Sequence, residues 1–264
     1  MGTTIIAFTA VTLYAAGCIL QLLYLRNRHP QPRYLALFAG LLAVTAHLTL
    51  AVQYMLPSEA VNLSVLVAAM TISALVVVIV LALSLFQAVQ NLVLAAYPLA
   101  AATIIAKLAL YSGARLIDES NLGVLSHVLL AVIAFSFLAL AAIQAVVLQV
   151  QHHQLKAHRN SLFIRSMPPL ETMESLLFGL IQTGVVILTL AIITGALFME
   201  DIFGQKLVHK TVFTLLAWFV FTTLILGHQI HGWRGAVASH WTLIGCLLLA
   251  LGYFGSRLVI DFIL

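Results

Sequence analysis

Long hydrophobic runs separated by short polar segments make up almost the whole sequence. A membrane-spanning helix needs about 20 mainly apolar residues, and eight runs are long enough. Within lipid, a helix satisfies its own backbone hydrogen bonds, whereas an open strand or loop does not. The pattern therefore predicts an all-α polytopic membrane helix bundle with about eight transmembrane helices. The predicted spans are residues 3–25, 35–56, 63–86, 92–110, 123–150, 175–199, 211–231 and 241–263.

The longest polar segment, residues 151–174, separates two groups of spans. Pro168 and Pro169 stop a continuing helix, and Glu171 and Glu174 suit the first turns of the next one, where the helix dipole favours negative charge. The segment is too short to form a soluble domain. We therefore predict a single integral membrane domain over 1–264, with a five-span half (1–150), a cytoplasmic loop (151–174) and a three-span half (175–264).

The charges of the loops predict how the chain crosses the membrane. Loops on one side carry seven basic residues, and loops on the other carry five acidic and three basic ones. Positively charged loops stay in the cytoplasm, so eight spans place both termini outside. The basic set is Arg26, Arg28, Arg33, Lys156, Arg159, Arg165 and Arg234. The opposite set is Glu59, Asp118, Glu119, Glu200 and Asp201 with Arg115, Lys206 and Lys210.

Composition supports this interpretation and narrows the partners. Hydrophobic residues make up 63% of the 264 and charged residues 8%, whereas a soluble domain has about 25% charged residues. The pI is near 9.3 and the net charge +4, but the basic residues lie in short loops between spans. We therefore expect the lipid bilayer as the main partner of a multi-pass protein, and no nucleic acid.

Ionisable side chains inside the spans are the candidate functional residues, because burying them in lipid is costly. At about 1.5 Å per residue, His127 lies about 6 Å, Lys107 about 5 Å, Arg257 about 9 Å and His47 about 14 Å below the outer face. Structural roles are also open. Lys107 can extend its ammonium to the interface, Arg257 can pair with Asp261 four residues later, and either histidine can bond a neighbouring helix.

The seventh span adds Trp218 at mid-depth and His228 near the cytoplasmic end. His127 and His228 lie about 20 Å apart along the membrane normal, given a hydrocarbon core about 30 Å thick. Because metal–nitrogen bonds are about 2 Å long, these two histidines cannot bind one iron. His228 can instead be an interfacial histidine beside His231.

The outer group of side chains permits a different arrangement. His127 and His47 can flank a haem, with Arg257 or Lys107 at the level of its propionates. Apart from haem iron, no metal is expected, because the Cys, His and Asp spacings match neither zinc nor iron–sulfur signatures. No Ser-His-Asp or paired-carboxylate arrangement indicates hydrolysis, so we do not expect an enzyme.

The last spans resemble a known family. The runs HKTVFTLLAWFVFTTLILGHQIHGWRG and MPPLETMESLLFGLIQTGVVILTLAIITGALF, with GYFGSR, are similar to the cytochrome c assembly family of haem-handling membrane proteins, and most of all to its YpjD-like branch. The resemblance covers about 120–264 well, and earlier residues only in span pattern. In that family, histidines at span ends hold haem beside a Trp-rich outer segment, the WWD motif.

The resemblance implies roles for particular residues. His127 matches the outer histidine before the motif and His228 the intramembrane histidine after it, whereas His47 matches no motif position. Residues 199–208 contain no Trp, so the WWD segment is missing. The expected function, implied by the resemblance, is haem transit or accessory work in cytochrome maturation in the bacterial inner membrane. Haem is the expected cofactor, and a membrane or periplasmic assembly protein is the expected partner. Trp218, Arg257 and Lys107 are the expected site-lining residues.

A second class of function stays open on the same scaffold. Without the WWD segment, the protein can be a non-haem auxiliary subunit or partner of a transporter complex. A small-solute carrier is a weaker third interpretation, because the sequence has no pair of spans broken by Gly or Pro. A haem absorption band separates the first two hypotheses.

Overall fold

The computed structural model describes residues 2–27, 30–56, 60–62, 64–87, 89–110, 116–118, 122–157, 167–198 and 208–255. Across these ranges the chain forms eight α-helices and one pair of short strands. The helices are α1 (Gly2–Asn27), α2 (Pro30–Met55), α3 (Val65–Phe86), α4 (Val93–Ala109), α5 (Leu122–Lys156), α6 (Leu170–Phe198), α7 (Val208–His231) and α8 (Ala236–Ala250). The strands are β1 (Ala60–Asn62) and β2 (Leu116–Asp118).

The helices confirm the predicted polytopic membrane bundle. Within the described ranges, seven helices are long and apolar enough to cross a membrane. The eighth, α4, has 17 residues and is preceded by a 3₁₀ turn at Gln90–Leu92, which brings the helical segment to the length of a span. Helix α8 continues as a π-helical turn at Leu251–Gly255, and residues 256–263 of the predicted eighth span lie outside the described residues. The side on which the termini lie stays a prediction.

Helices α1 to α4 form one compact unit of the chain. Helix α1 packs on α2 and α4, and α3 packs on the same two, so the four helices close into a ring. The buried face of α1 repeats every three or four residues, as one helix face requires. It comprises Ala7, Ala10, Tyr14, Gly17 and Gln21, all fully buried or nearly so.

The strand pair is the one departure from the predicted all-helical chain in the described residues. Ala60 pairs with Asp118 and Asn62 with Leu116, in antiparallel register. The strands belong to the α2–α3 and α4–α5 connections, which the charge pattern assigns to the same side. Their pairing agrees with that assignment and satisfies backbone groups that a bare loop would leave to water.

Helices α5 to α8 form the second compact unit. Helix α5, which the sequence analysis groups with the N-terminal half, packs along α6 and also contacts α8. Helix α7 packs on α6 and α8, so these four helices close into a ring as well. Helix α5 has 35 residues and is about 52 Å long, so it exceeds a hydrocarbon core of about 30 Å.

Candidate functional site

His127, near the beginning of α5, forms a hydrogen bond with the backbone of α6. Its Nδ1 lies 2.7 Å from the main-chain oxygen of Ala191. A carbonyl oxygen only accepts hydrogen bonds, so Nδ1 carries the proton and donates it. The ring reaches that carbonyl because Gly195, one turn further along α6, has no side chain: a Cβ there would lie 2.8 Å from Nδ1. His127 is therefore oriented by the backbone of its neighbour.

His228 lies at the end of α7, where the chain turns into α8. Its Nδ1 lies 2.8 Å from the main-chain oxygen of Trp233, so this nitrogen also donates to a carbonyl. The ring stacks on Phe178 of α6, with centroids 3.6 Å apart and planes 16° apart. The imidazole is thus fixed by a hydrogen bond in its plane and an aromatic ring on one face.

Two glycines shape the turn that brings the Trp233 carbonyl to His228. Gly232 and Gly235 have φ of +67° and +58°, a region that side-chain-bearing residues rarely adopt. The N–H of Gly232 donates to the His228 oxygen, and that of Trp233 donates to the Gly227 oxygen. The chain therefore folds back over the helix end, which explains the Gly-Trp-Arg-Gly pattern noted in the sequence.

The turn is also tied to α6 and α8. Glu174 accepts the N–H of Gly235 at 2.9 Å, immediately before α8 begins. Trp233 stacks on Trp241, with ring centroids 5.5 Å apart, and the ring of His231 lies 6.1 Å from that of Trp233. The predicted cytoplasmic-side position, His228, therefore lies beside a turn that is held by stacked aromatic rings and a hydrogen bond to α6. Neither the contact of Phe178 nor the bond of Glu174 to this turn was predicted from the sequence.

The two histidines share one chemical arrangement. In the neutral ring, a proton on Nδ1 leaves the lone pair on Nε2. Among the residues that the structure describes, none forms a hydrogen bond with either Nε2. Histidines that bind metals are usually oriented in this way, by donating the other ring N–H to a carbonyl or carboxylate.

His127 and His228 contact α6 at positions that are far apart along its axis. His228 contacts α6 at Phe178 and His127 contacts it at Ala191, and those positions are about 20 Å apart along the helix axis. This agrees with the separation estimated from the sequence. The two imidazoles therefore belong to separate positions and cannot bind the same iron atom.

Trp218, a predicted site-lining residue, connects α7 to α6 through its side chain. Its indole Nε1 donates to the Thr189 hydroxyl at 2.9 Å, and that hydroxyl donates in turn to the Val185 carbonyl. Thr189 and Ala191 are close in sequence, so Trp218 and His127 contact α6 at nearly the same height. Because successive helix positions point in different directions, they contact different sides of α6.

His47 lies in the first unit and is fully buried. Its Nδ1 lies 3.2 Å from the Tyr14 hydroxyl, and either group can be the donor. Its Nε2 is buried and forms no hydrogen bond with the residues that the structure describes. A haem ligand needs space for the porphyrin beside Nε2, whereas His47 is enclosed by packed helices. This environment favours a structural role for His47.

A polar cluster surrounds His47 and was not predicted from the sequence. The ring of Tyr14 lies 5.3 Å from that of Tyr97, whose hydroxyl donates to the Ala36 carbonyl on α2. One further heptad along α1, the fully buried Gln21 donates to Asn91 at 3.3 Å. Polar residues seven apart in an apolar span point to one helix face, so this spacing was the available signal.

The remaining predicted site residues have separate placements. The Lys107 ammonium lies 5.2 Å from the centroid of the Tyr54 ring, at the ends of α4 and α2. This cation–π contact stabilises the charge without a haem propionate. Arg257 and its suggested partner Asp261 lie outside the described residues.

These features define a class: a polytopic membrane protein in which two half-buried imidazoles keep a free ring nitrogen. Residues 34–264 match the family described as Cytochrome C assembly protein, and the chain belongs to that family. The predicted resemblance is therefore confirmed. No solved structure matches the chain significantly.

Curated relatives place the chain more closely within the family. Inner membrane protein YpjD of Escherichia coli strain K12 is 38% identical over 141 residues, 53% of each chain. An uncharacterized 28.8 kDa protein of Azospirillum brasilense is 30% identical over 140 residues, 52% of each chain. Protein HemX of Brevibacillus brevis is 26% identical over 133 residues, 50% of this chain and 49% of its own. The chain spans about half the length of the curated relatives it matches. The prediction of a multi-pass inner-membrane protein is confirmed.

Proposed function

We propose that this protein binds haem in the inner membrane and takes part in haem transit or cytochrome maturation. The observation that carries the proposal is the hydrogen bonding of His127 and His228. Each donates its Nδ1 proton to a main-chain carbonyl, at 2.7 Å and 2.8 Å, and in the neutral ring this places the lone pair on Nε2. That nitrogen is the atom that an iron ion requires.

The donor set fits haem iron better than other metals. Imidazole is a common axial ligand of haem, and a carbonyl acceptor on the other ring nitrogen raises its basicity. Among the described residues, no group of three or more His, Cys, Asp or Glu side chains is placed to hold a metal ion by itself. A single imidazole can bind a metal whose remaining ligands come from a porphyrin. When bound, haem would supply an iron centre for redox chemistry, and Nε2 of His127 or of His228 would be the nitrogen that holds the iron.

The separation of the histidines supports transit more than a single storage site. His127 lies on the predicted outer side and His228 on the predicted cytoplasmic side, about 20 Å apart along α6. The absence of Trp from residues 199–208 removes the family's presentation segment. The proposal therefore assigns no catalysed reaction to the chain and leaves delivery to a membrane or periplasmic partner in cytochrome assembly.

The test is an absorption spectrum of the protein purified after expression with sufficient haem. A Soret band is expected, and the His127→Ala/His228→Ala double variant should lose it. Each single variant should lose only its own share, because the two positions are too far apart for one iron. His153→Ala is the matched control, since His153 is also on α5 but is exposed.

A colourless wild-type protein would refute the proposal. A single variant that removes all bound haem would refute the two separate positions while leaving haem binding in place. If the colourless protein retains one membrane protein in stoichiometric amount, the non-haem auxiliary subunit becomes the better assignment.

A further inference from the structure

Helix α6 holds the turn between α7 and α8 at two points on one of its faces. Glu174 accepts the N–H of Gly235 at 2.9 Å, and Phe178 stacks on the ring of His228. Residues four apart lie on the same side of a helix, one turn from each other. The contact of Phe178 therefore lies where the turn begins, and the contact of Glu174 lies where it ends.

The hydrogen bonds of the turn connect Glu174 to His228. Gly235, which Glu174 holds, is two residues after Trp233, and the Trp233 carbonyl accepts the Nδ1 proton of His228. The stacking ring of Phe178 fixes the plane of the imidazole but does not distinguish its two nitrogens. The position of the Trp233 carbonyl decides which nitrogen is protonated.

The turn needs an anchor outside itself. Gly232 and Gly235 both have positive φ, and glycine loses more conformational freedom on ordering than any other residue. Gly235 also precedes the first turn of α8, where backbone N–H groups lack helical partners and the dipole favours a negative charge. A carboxylate at this point satisfies one N–H and restrains the segment that carries Trp233.

We propose that Glu174 is the positioning residue of His228: by anchoring Gly235 it keeps the Trp233 carbonyl on Nδ1 and leaves Nε2 free to bind a ligand. The consequence for haem rests on the proposed function, but the tautomer of His228 does not. The proposed role of Glu174 requires no contact with the imidazole or with its ligand. It acts through the backbone of the turn.

The tautomer can be measured without haem. Protein labelled with ¹⁵N in its histidines, without bound haem and in lipid bilayers, gives separate solid-state NMR signals for protonated and unprotonated ring nitrogens. Subtracting the spectrum of His228→Gln identifies the signals of His228 among the ten histidines. Wild type should have Nδ1 protonated and Nε2 bare.

Three variants test the role of Glu174. Glu174→Ala should change the tautomer ratio of His228 by about tenfold towards protonated Nε2, as expected for loss of a charged hydrogen bond. Glu174→Gln should keep most of the wild-type ratio, because its amide oxygen still accepts the Gly235 N–H. Glu171→Ala is the control, since Glu171 is exposed on the same helix.

Gly235→Ala disturbs the same interaction between Glu174 and Gly235 by changing the donor residue, since alanine disfavours φ of +58°. It should shift the ratio in the same direction, and it keeps the test decisive if Glu174→Ala does not fold. An unchanged ratio in a folded Glu174→Ala protein, or in Gly235→Ala if the former is unfolded, overturns the inference. If wild type binds no haem but the ratio responds, the proposed function fails and this inference stands. If haem binds and the tautomer ratio does not respond, this inference fails and the proposed function stands.

Discussion

Gly195→Ala should displace His127 without touching the histidine itself. A Cβ at position 195 would lie 2.8 Å from Nδ1 and 2.9 Å from Cε1 of the ring. Ordinary contacts of this kind begin near 3.4 Å. Either the imidazole or one of the two helices must therefore move.

The size of the movement follows from these distances. The ring must retreat by about 0.6 Å, which would lengthen the hydrogen bond to Ala191 from 2.7 Å to about 3.3 Å, past the usual limit for N–H···O bonds. Crowding a packed interface costs about 1–3 kcal/mol, and losing the bond costs about 0.5–1.5 kcal/mol. Together these costs are about 1.5–4.5 kcal/mol, and replacing a glycine inside a helix returns up to about 1 kcal/mol, so we expect the free energy of unfolding to fall by about 1–4 kcal/mol.

Reversible unfolding in mixed micelles of SDS and a mild detergent, followed by tryptophan fluorescence, measures this change. Gly179→Ala is the control, because Gly179 is also inside α6 and a Cβ added there would meet no atom within 4 Å. That variant should be neutral or up to about 1 kcal/mol more stable. In haem-loaded protein, Gly195→Ala should also weaken the part of the Soret band that depends on His127.

Two results would refute this reasoning. If Gly195→Ala is as stable as Gly179→Ala, the ring does not occupy the space above Gly195. If Gly195→Ala is destabilised as expected but the share of haem assigned to His127 is unchanged, the orientation imposed by Ala191 is irrelevant to binding.

The same unfolding assay checks three smaller predictions. Trp218→Phe should cost about 0.5–1.5 kcal/mol, one interhelical hydrogen bond, and a larger loss would mean that the indole does more than bridge two helices. Tyr14→Phe leaves Nδ1 of His47 without its partner and should cost about 1–3 kcal/mol, a loss that should shrink in a His47→Leu background. A Cβ at Gly40 would meet the hydroxyl of Tyr97, so Gly40→Ala should cost about 1–3 kcal/mol. The double variant Gly40→Ala/Tyr97→Phe should recover part of that stability, and equal losses in both variants would exclude the clash.

The packing of α5 and α6 explains why these predictions concern glycines as much as histidines. In lipid, apolar side chains gain little by leaving the solvent, so helices associate through close packing and hydrogen bonds. Gly184 of α6 sits against Leu138, as Gly195 sits against His127. The same close approach brings the buried Gln144 of α5 to the Met173 carbonyl at 2.9 Å.

The sequence by itself determined the membrane bundle and the family. Helix length and hydrophobicity follow from the thickness of the bilayer, so eight spans could be placed from local pattern alone. The distance between His127 and His228 could also be estimated, because each residue of a helix advances by a fixed rise. The Gly-Trp-Arg-Gly turn was recognisable, since few residues other than glycine tolerate positive φ.

Only the tertiary structure decided what each polar side chain contacts. The direction of a side chain around its helix depends on which neighbours pack there, and a nearly uniform apolar span carries little record of them. For that reason the sequence did not predict the bond from Trp218 to Thr189 or the contact of Lys107 with Tyr54. For the same reason, the carbonyls that accept the Nδ1 protons of both histidines belong to backbone that no side-chain pattern identifies.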